Sequence, residues 1–167
     1  TIAHGLGAKP AMIMIKNRDV GDNWSMYHQG NVHQDDGEDF SIVFNDNGAR
    51  VDDATFFNDT APTSTVFTIN TNHSVNADGE AYVAYVFAEV EGYSKFGIYT
   101  GNGNADGTFV STGFRPALII IKQTSGTNSW RIMDNKRDGF NGDTEVMYPS
   151  ANNAEGSEVG VDFLSNG

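Results

Sequence analysis

The 167-residue chain contains no cysteine and only four prolines. Without cysteine there are no disulfide staples and no thiolate metal sites, and the redox compartment stays undetermined. Positive charge is scarce as well. Ten Lys and Arg stand against 22 Asp and Glu, a formal net charge of −12. Such a surface repels phosphate backbones, so nucleic acid is not an expected partner. No apolar run approaches the ~20 residues that cross a bilayer, and no signal-peptide pattern is read at the start, so a membrane is not an expected partner either. The sequence begins at Thr1, which is read as processing or as part of something longer.

Two of the four prolines share one context. Lys9-Pro10-Ala11-Met12-Ile13-Met14-Ile15-Lys16 returns as Arg115-Pro116-Ala117-Leu118-Ile119-Ile120-Ile121-Lys122. Pro10 to Pro116, Lys16 to Lys122 and Trp24 to Trp130 are all 106 positions apart (116−10, 122−16, 130−24). A period of this kind is read before anything else. It predicts one body over residues 1–167, with a first unit of about 1–106 and a second, incomplete unit of about 107–167. Proline belongs at the first residue of a strand, where no ladder N–H is required. The short isoleucine-rich run behind it reads as a strand covered on both faces.

Polar turns at 17–22 and 124–127 separate these strands from Asn23–His28 and Ser129–Asp134, which predicts a hairpin in each unit. Phe40–Phe44 and, more loosely, Thr144–Tyr148 read as further strands. Residues 45–58 read as a loop with an extended piece. Thr65–Asn70 alternates polar and apolar, the period of a half-buried strand, and Val159–Leu164 is its expected counterpart. Ala81–Ala88 is the longest apolar stretch and the expected central strand, since its β-branched and aromatic residues outweigh its alanines. Phe96–Thr100 and Thr108–Ser111 flank a Gly-Asn loop made for positive φ. No stretch has the pattern of an amphipathic helix. The expected fold is all-β, a jelly-roll or concanavalin-like sandwich of two related units offset by 106 residues.

Chemistry-bearing residues are thinly spread. His4, His28, His33 and His73 lack metal-ligand spacing, and no serine sits in a nucleophile elbow. Asp35-Asp36 and Asp52-Asp53 are paired carboxylates in polar loops, where nothing would drive their pKa values apart. The chain alone is therefore expected not to be an enzyme. Asn102, Asn104 and Asp106 place oxygens at alternate positions, as a calcium loop begins, but Gly113 stands where that motif has its bidentate glutamate. A plain turn that holds no cofactor is the alternative, and the same choice applies to Asn76–Glu80 and Asn45–Gly48. Trp24, Tyr27 and Trp130, with Lys16 and Lys122 close in sequence, are the candidate ligand-binding residues, because aromatic faces with polar rims suit sugar rings. Recurrence of tryptophan at one place in both units is also what core or inter-unit packing produces, and that is the preferred reading.

Several of these stretches together carry a resemblance. His4-Gly5-Leu6-Gly7-Ala8-Lys9-Pro10 through Lys16, Asn23–His28, Tyr82–Glu89, Gly92–Gly97, Tyr99–Gly107 and Gly113–Pro116 resemble a repeat of unknown function in tail-fibre and other virion proteins of marine phages. The resemblance spans nearly the whole chain and implies a β-rich, sandwich-like virion module with no assigned chemistry. It implies a structural or adhesive role in a virion or other extracellular assembly, with copies of itself or neighbouring subunits as partners and trimers as the stoichiometry. A host glycan is the expected ligand, if any. The alternative is a carbohydrate-binding domain accessory to a glycan-degrading enzyme. The second unit lacks a counterpart of Ala81–Ala88. Residues 144–167 are therefore expected to be completed by further sequence or by another copy.

Overall fold

The structure, a computed structural model, describes residues 1–31, 40–137, 141, 144–158 and 160–167. In chain order its elements are β1 (Ile2–Ala3), β2 (Met12–Asn17), β3 (Trp24–His28), β4 (Phe40–Val43), β5 (Val51–Asp52), α1 (Ala54–Phe57), β6 (Val66–Phe67), α2 (His73–Asn76), β7 (Tyr82–Phe87), β8 (Leu118–Ile121), β9 (Arg131–Asp134), β10 (Thr144–Val146) and β11 (Gly156–Glu158). The fold is all-β. Each of the two helices among the described residues is one turn of four residues, capped by Asp53 and by Asn72.

Pro10 is buried and stands just ahead of β2, where its missing N–H costs nothing. β2 lies inside a five-stranded antiparallel sheet of order β5-β4-β3-β2-β7. The hairpin-linked β2, β3 and β4, with β7 returning beside β2, make a Greek key. The strand period of two sends Ile13 and Ile15 to one face and Met12 and Met14 to the other. Both faces are covered, which is why the run is apolar without alternation. On the first face Ile13, Ile15 and Tyr27 pack with Phe57 of α1, Phe67 of β6 and Val75 of α2. On the second, Met12, Met26 and Ile42 pack with Trp130. Burial of side chains this size contributes about 1.5–3 kcal/mol each.

The β8–β9 hairpin repeats the β2–β3 hairpin in register. Four β2–β3 pairs, from Met12–His28 to Ile15–Ser25, become the four β8–β9 pairs, Leu118–Asp134 to Ile121–Arg131, when 106 is added to both numbers. The flanking bond repeats too, with the Gln29 N–H donating to the Ala11 carbonyl at 2.8 Å and the Asn135 N–H to that of Ala117 at 3.0 Å. The pairs Phe40–Asp52 and Ser41–Val51 map onto Glu145–Ser157 and Val146–Gly156 by adding 105. A length difference of one residue therefore falls between β9 and β10. Met133, Val146 and Phe163 form the core beneath this second hairpin.

The structure corrects several expectations. Within 81–88, Tyr82–Phe87 form β7, but among the described residues β7 is the edge of its sheet and half exposed, not central. A long apolar run shows strand-forming propensity. It does not show that a strand lies on either side. β8 is likewise only partly covered, with Leu118 and Ile120 in solvent. The strand expected at 159–164 is not there among the described residues, and the pairing strand is β11 at 156–158. Phe163 is buried instead by packing against Met133 and Val146, with its N–H held by Asn141 Oδ1 at 2.6 Å, so alternate burial arises there without a ladder. Phe96–Thr100 and Thr108–Ser111 are irregular, and Thr65–Asn70 contracts to the two residues of β6. His33, Asp35-Asp36, Val159 and most of the polar stretch 29–39 lie outside the described residues.

Candidate functional site

Cross-strand pairing on the Met12–Met14 face places Lys16 directly opposite Trp24, with Val83 on its other side. Tyr85, two residues along β7, stacks on Trp24 with ring centroids 6.0 Å apart and planes 27° apart. Trp24 is half-buried and Tyr85 is 47% exposed. The Trp24 backbone is fixed by its N–H, which donates to Asn45 Oδ1 at 2.8 Å, and Asn45 Nδ2 donates to Asn23 Oδ1 at 3.0 Å. Rings ordered on a sheet face present an apolar surface at low entropic cost, the chemistry that suits a sugar ring. Tyr85 was not singled out from the sequence. The pairing of β2 with β7, which no local pattern reveals, brings it beside Trp24.

Both lysines serve the backbone. Lys16 Nζ donates to the carbonyls of Asn17 at 2.6 Å and Val20 at 3.1 Å, and Lys122 Nζ donates to those of Gln123 at 2.7 Å and Gly126 at 3.1 Å. In each hairpin the ammonium therefore clips carbonyls one and four residues on, at the start of the turn. Lys122 adds a bond to the Asn47 carbonyl at 3.2 Å. Burial lowers the Lys122 pKa, opposed by the charge of Asp46.

The other two aromatic candidates are interior. Tyr27 is 2% exposed and meets Phe57 edge-to-face at 5.8 Å, so it offers no ring face to a ligand. Trp130 is 6% exposed, and its indole N–H donates to the Val43 carbonyl at 2.8 Å while its ring meets Phe44 at 5.2 Å. Trp130 thereby ties β9 to the five-stranded sheet, and the Arg50 N–H, donating to the Thr124 carbonyl at 3.0 Å, is a second tie. Trp24 and Trp130, 106 residues apart, thus have different surroundings.

The Asn102–Asp106 loop is exposed and closed on itself. The Asn104 N–H donates to Asn102 Oδ1 at 3.0 Å, Asn102 Nδ2 donates to the Asp106 carbonyl at 2.9 Å, and Thr108 Oγ1 donates to the Thr100 carbonyl at 2.8 Å. Oxygens at alternate positions are what such an Asx turn uses. Among the described residues no three His, Asp or Glu side chains converge as metal ligands. Asp53, half of one paired carboxylate, caps α1, and its bonds from the Thr55 hydroxyl and N–H lower its pKa. Two surface hollows, of about 290 Å³ beside Val43, Asp46 and Arg50 and about 330 Å³ beside Met147 and Tyr148, are lined by none of the aromatic or lysine candidates.

One titrating group is built into the packing. His28 lies against Phe96 at 6.1 Å, and its Nδ1 accepts the Gly30 N–H at 3.0 Å, which assigns the ring proton to Nε2. Burial holds its pKa below the usual imidazole value, with the charge of Glu89 opposing. A base with a lowered folded pKa stabilises the fold when neutral. That stability is complete above the unfolded value of about 6.5 and is lost as pH falls through the folded value. Urea midpoints should fall between pH 7.5 and 5, and His28→Gln should flatten that slope. An unchanged slope in the variant would assign the pH dependence elsewhere.

One sequence family's profile covers residues 1–167, the whole chain. The chain belongs to the family called domain of unknown function DUF7483. No curated protein and no solved structure matches it. DUF7483 thus supplies no assigned chemistry, and the residues above are its description in this chain.

Proposed function

We propose that this DUF7483 domain is a non-enzymatic structural and adhesive module, a piece of a phage virion such as a tail fibre or of a similar extracellular assembly. The observation that carries the reading is the hairpin used twice in the same register with the same lysine clip, joined to its twin by Trp130. Units that bury their apolar faces against neighbouring units are how extended assemblies are made. The motif resemblance to marine-phage virion repeats supplies the setting, with homo-oligomers, trimers first, as the assembly state. An acidic surface keeps such a module soluble and away from nucleic acid.

A second reading, a carbohydrate-binding domain accessory to a glycan-degrading enzyme, is favoured by the Trp24–Tyr85 stack, with Tyr85 open to solvent beside Lys16. Light scattering across a concentration series, a glycan array and an assay for reducing-sugar release separate the two. The module reading expects self-assembly and no sugar release. Turnover lost on changing one carboxylate, with the fold intact, would overturn it. The binding reading expects Tyr85→Ala to weaken glycan retention at least tenfold without lowering the unfolding free energy by more than about 1 kcal/mol, the value of one aromatic pair. Retention unchanged in that variant would remove the stack as a site.

A further inference from the structure

In the five-stranded sheet β2 is paired on both sides, by β3 and by β7. β8 repeats β2 in register against β9, yet among the described residues nothing pairs with its other side. The hydrogen-bond alternation shows what that side presents. The bond from Asn135 to Ala117 makes 117–135, 119–133 and 121–131 the hydrogen-bonded pairs of the β8–β9 ladder. The N–H and C=O of Leu118 and Ile120 therefore point away from β9, along the free edge. Their side chains are bare as well, 55% and 39% exposed, while Met12, the residue matching Leu118, is 9% exposed. An unpaired apolar edge is what folded proteins ordinarily cover, block or use for pairing.

We propose that this edge is a strand-acceptor site, and that its occupant is an extended segment of the same chemistry as β7, added antiparallel by backbone pairing. The repeat identifies the occupant. In the first sheet the side of β2 that corresponds to the free side of β8 is filled by Tyr82–Phe87, with Met12 opposite Phe87 and Met14 opposite Tyr85. Adding 106 to the β2 numbers places an incoming phenylalanine opposite Leu118 and an incoming tyrosine opposite Ile120. The bond from the Arg18 N–H to the Ala81 carbonyl fixes the alternation on that side, making 16–83 and 14–85 hydrogen-bonded pairs, while at the end of the ladder the Phe87 carbonyl takes the Ala11 N–H at 2.7 Å. The incoming segment should therefore donate the N–H of its second tyrosine to the Ile120 carbonyl, while the amides on either side of it point outward. This site goes beyond the virion and glycan readings and depends on neither.

The test uses the 167-residue protein and a labelled peptide with the sequence of residues 80–89, Glu-Ala-Tyr-Val-Ala-Tyr-Val-Phe-Ala-Glu. Saturable binding is expected, with slowed amide exchange at Leu118 and Ile120. Methylating the backbone nitrogen of the peptide tyrosine that matches Tyr85 should weaken binding at least tenfold. Methylating the nitrogen matching Ala84 should change it less than threefold, and neither peptide disturbs the protein's own fold. Absence of binding at millimolar peptide overturns the proposal. So does protection confined to Met12 and Met14, which would mean exchange with β7, or equal weakening by the two methyl groups. Protection of Leu118 and Ile120 without peptide, accompanied by dimers, would give the edge to a second copy and overturn the β7-type occupant.

Discussion

Trp130→Ala should lower the unfolding free energy by about 3–5 kcal/mol, the range for deleting a buried large aromatic side chain. The indole fills the space between Met12, Met26 and Ile42 and meets Phe44, so its loss empties the contact between β9 and the five-stranded sheet. It also leaves the Val43 carbonyl without its 2.8 Å donor. Trp130→Phe keeps most of the packing and loses the bond, for a cost of about 1 kcal/mol. Trp24→Ala should cost about 1 kcal/mol, because that ring is half-buried and its partner Tyr85 faces water. Urea denaturation of the three variants supplies the comparison. Equal losses for the two alanine variants would show that Trp130 is not the tie described.

Asn17→Asp should be nearly as damaging at neutral pH, by about 3 kcal/mol or more. Asn17 ends β2 at 1% exposure and serves four groups. Its Nδ2 donates to Glu80 Oε2 and, at 3.1 Å, to the Tyr82 hydroxyl. Its Oδ1 accepts the N–H of Asp19 at 2.9 Å and of Val20 at 3.4 Å. The substitution removes both donors and sets a second carboxylate against Glu80. Burial and the like charge raise the folded pKa of the introduced carboxyl above its unfolded value of about 3.9. A group with a raised folded pKa leaves stability intact below the unfolded value and removes it as pH rises through the folded one. The deficit should therefore shrink as pH falls from 7 toward 4. Asn17→Leu, which orphans the same groups without a charge, should lose stability with no such recovery. Parallel pH profiles for the two variants would count against the carboxylate contact.

Local patterns made the hairpins legible. Pro10 and Pro116, the isoleucine-rich runs and the tryptophans 106 apart mark strands and turns by chemistry that acts within a few residues. The position of β7 at an edge was not legible, because edge or centre depends on which strand lies alongside in space. The same limit hid Tyr85 and separated Trp24 from Trp130, which have one sequence context and two environments. Phe163 misled for a different reason. Alternating Val161 and Phe163 mimic a strand, yet the phenylalanine packs on Met133 and Val146 while an asparagine side chain takes its backbone N–H.

The change of offset from 106 to 105 has a consequence for engineering. A residue gained or lost within a strand would turn every later side chain to the opposite face. Here the difference falls between β9 and β10, and Glu145–Ser157 still pairs as Phe40–Asp52 does. The strands on either side of that difference therefore keep their inward and outward faces. A residue inserted within β10 should instead turn Val146 out of the core it shares with Met133 and Phe163.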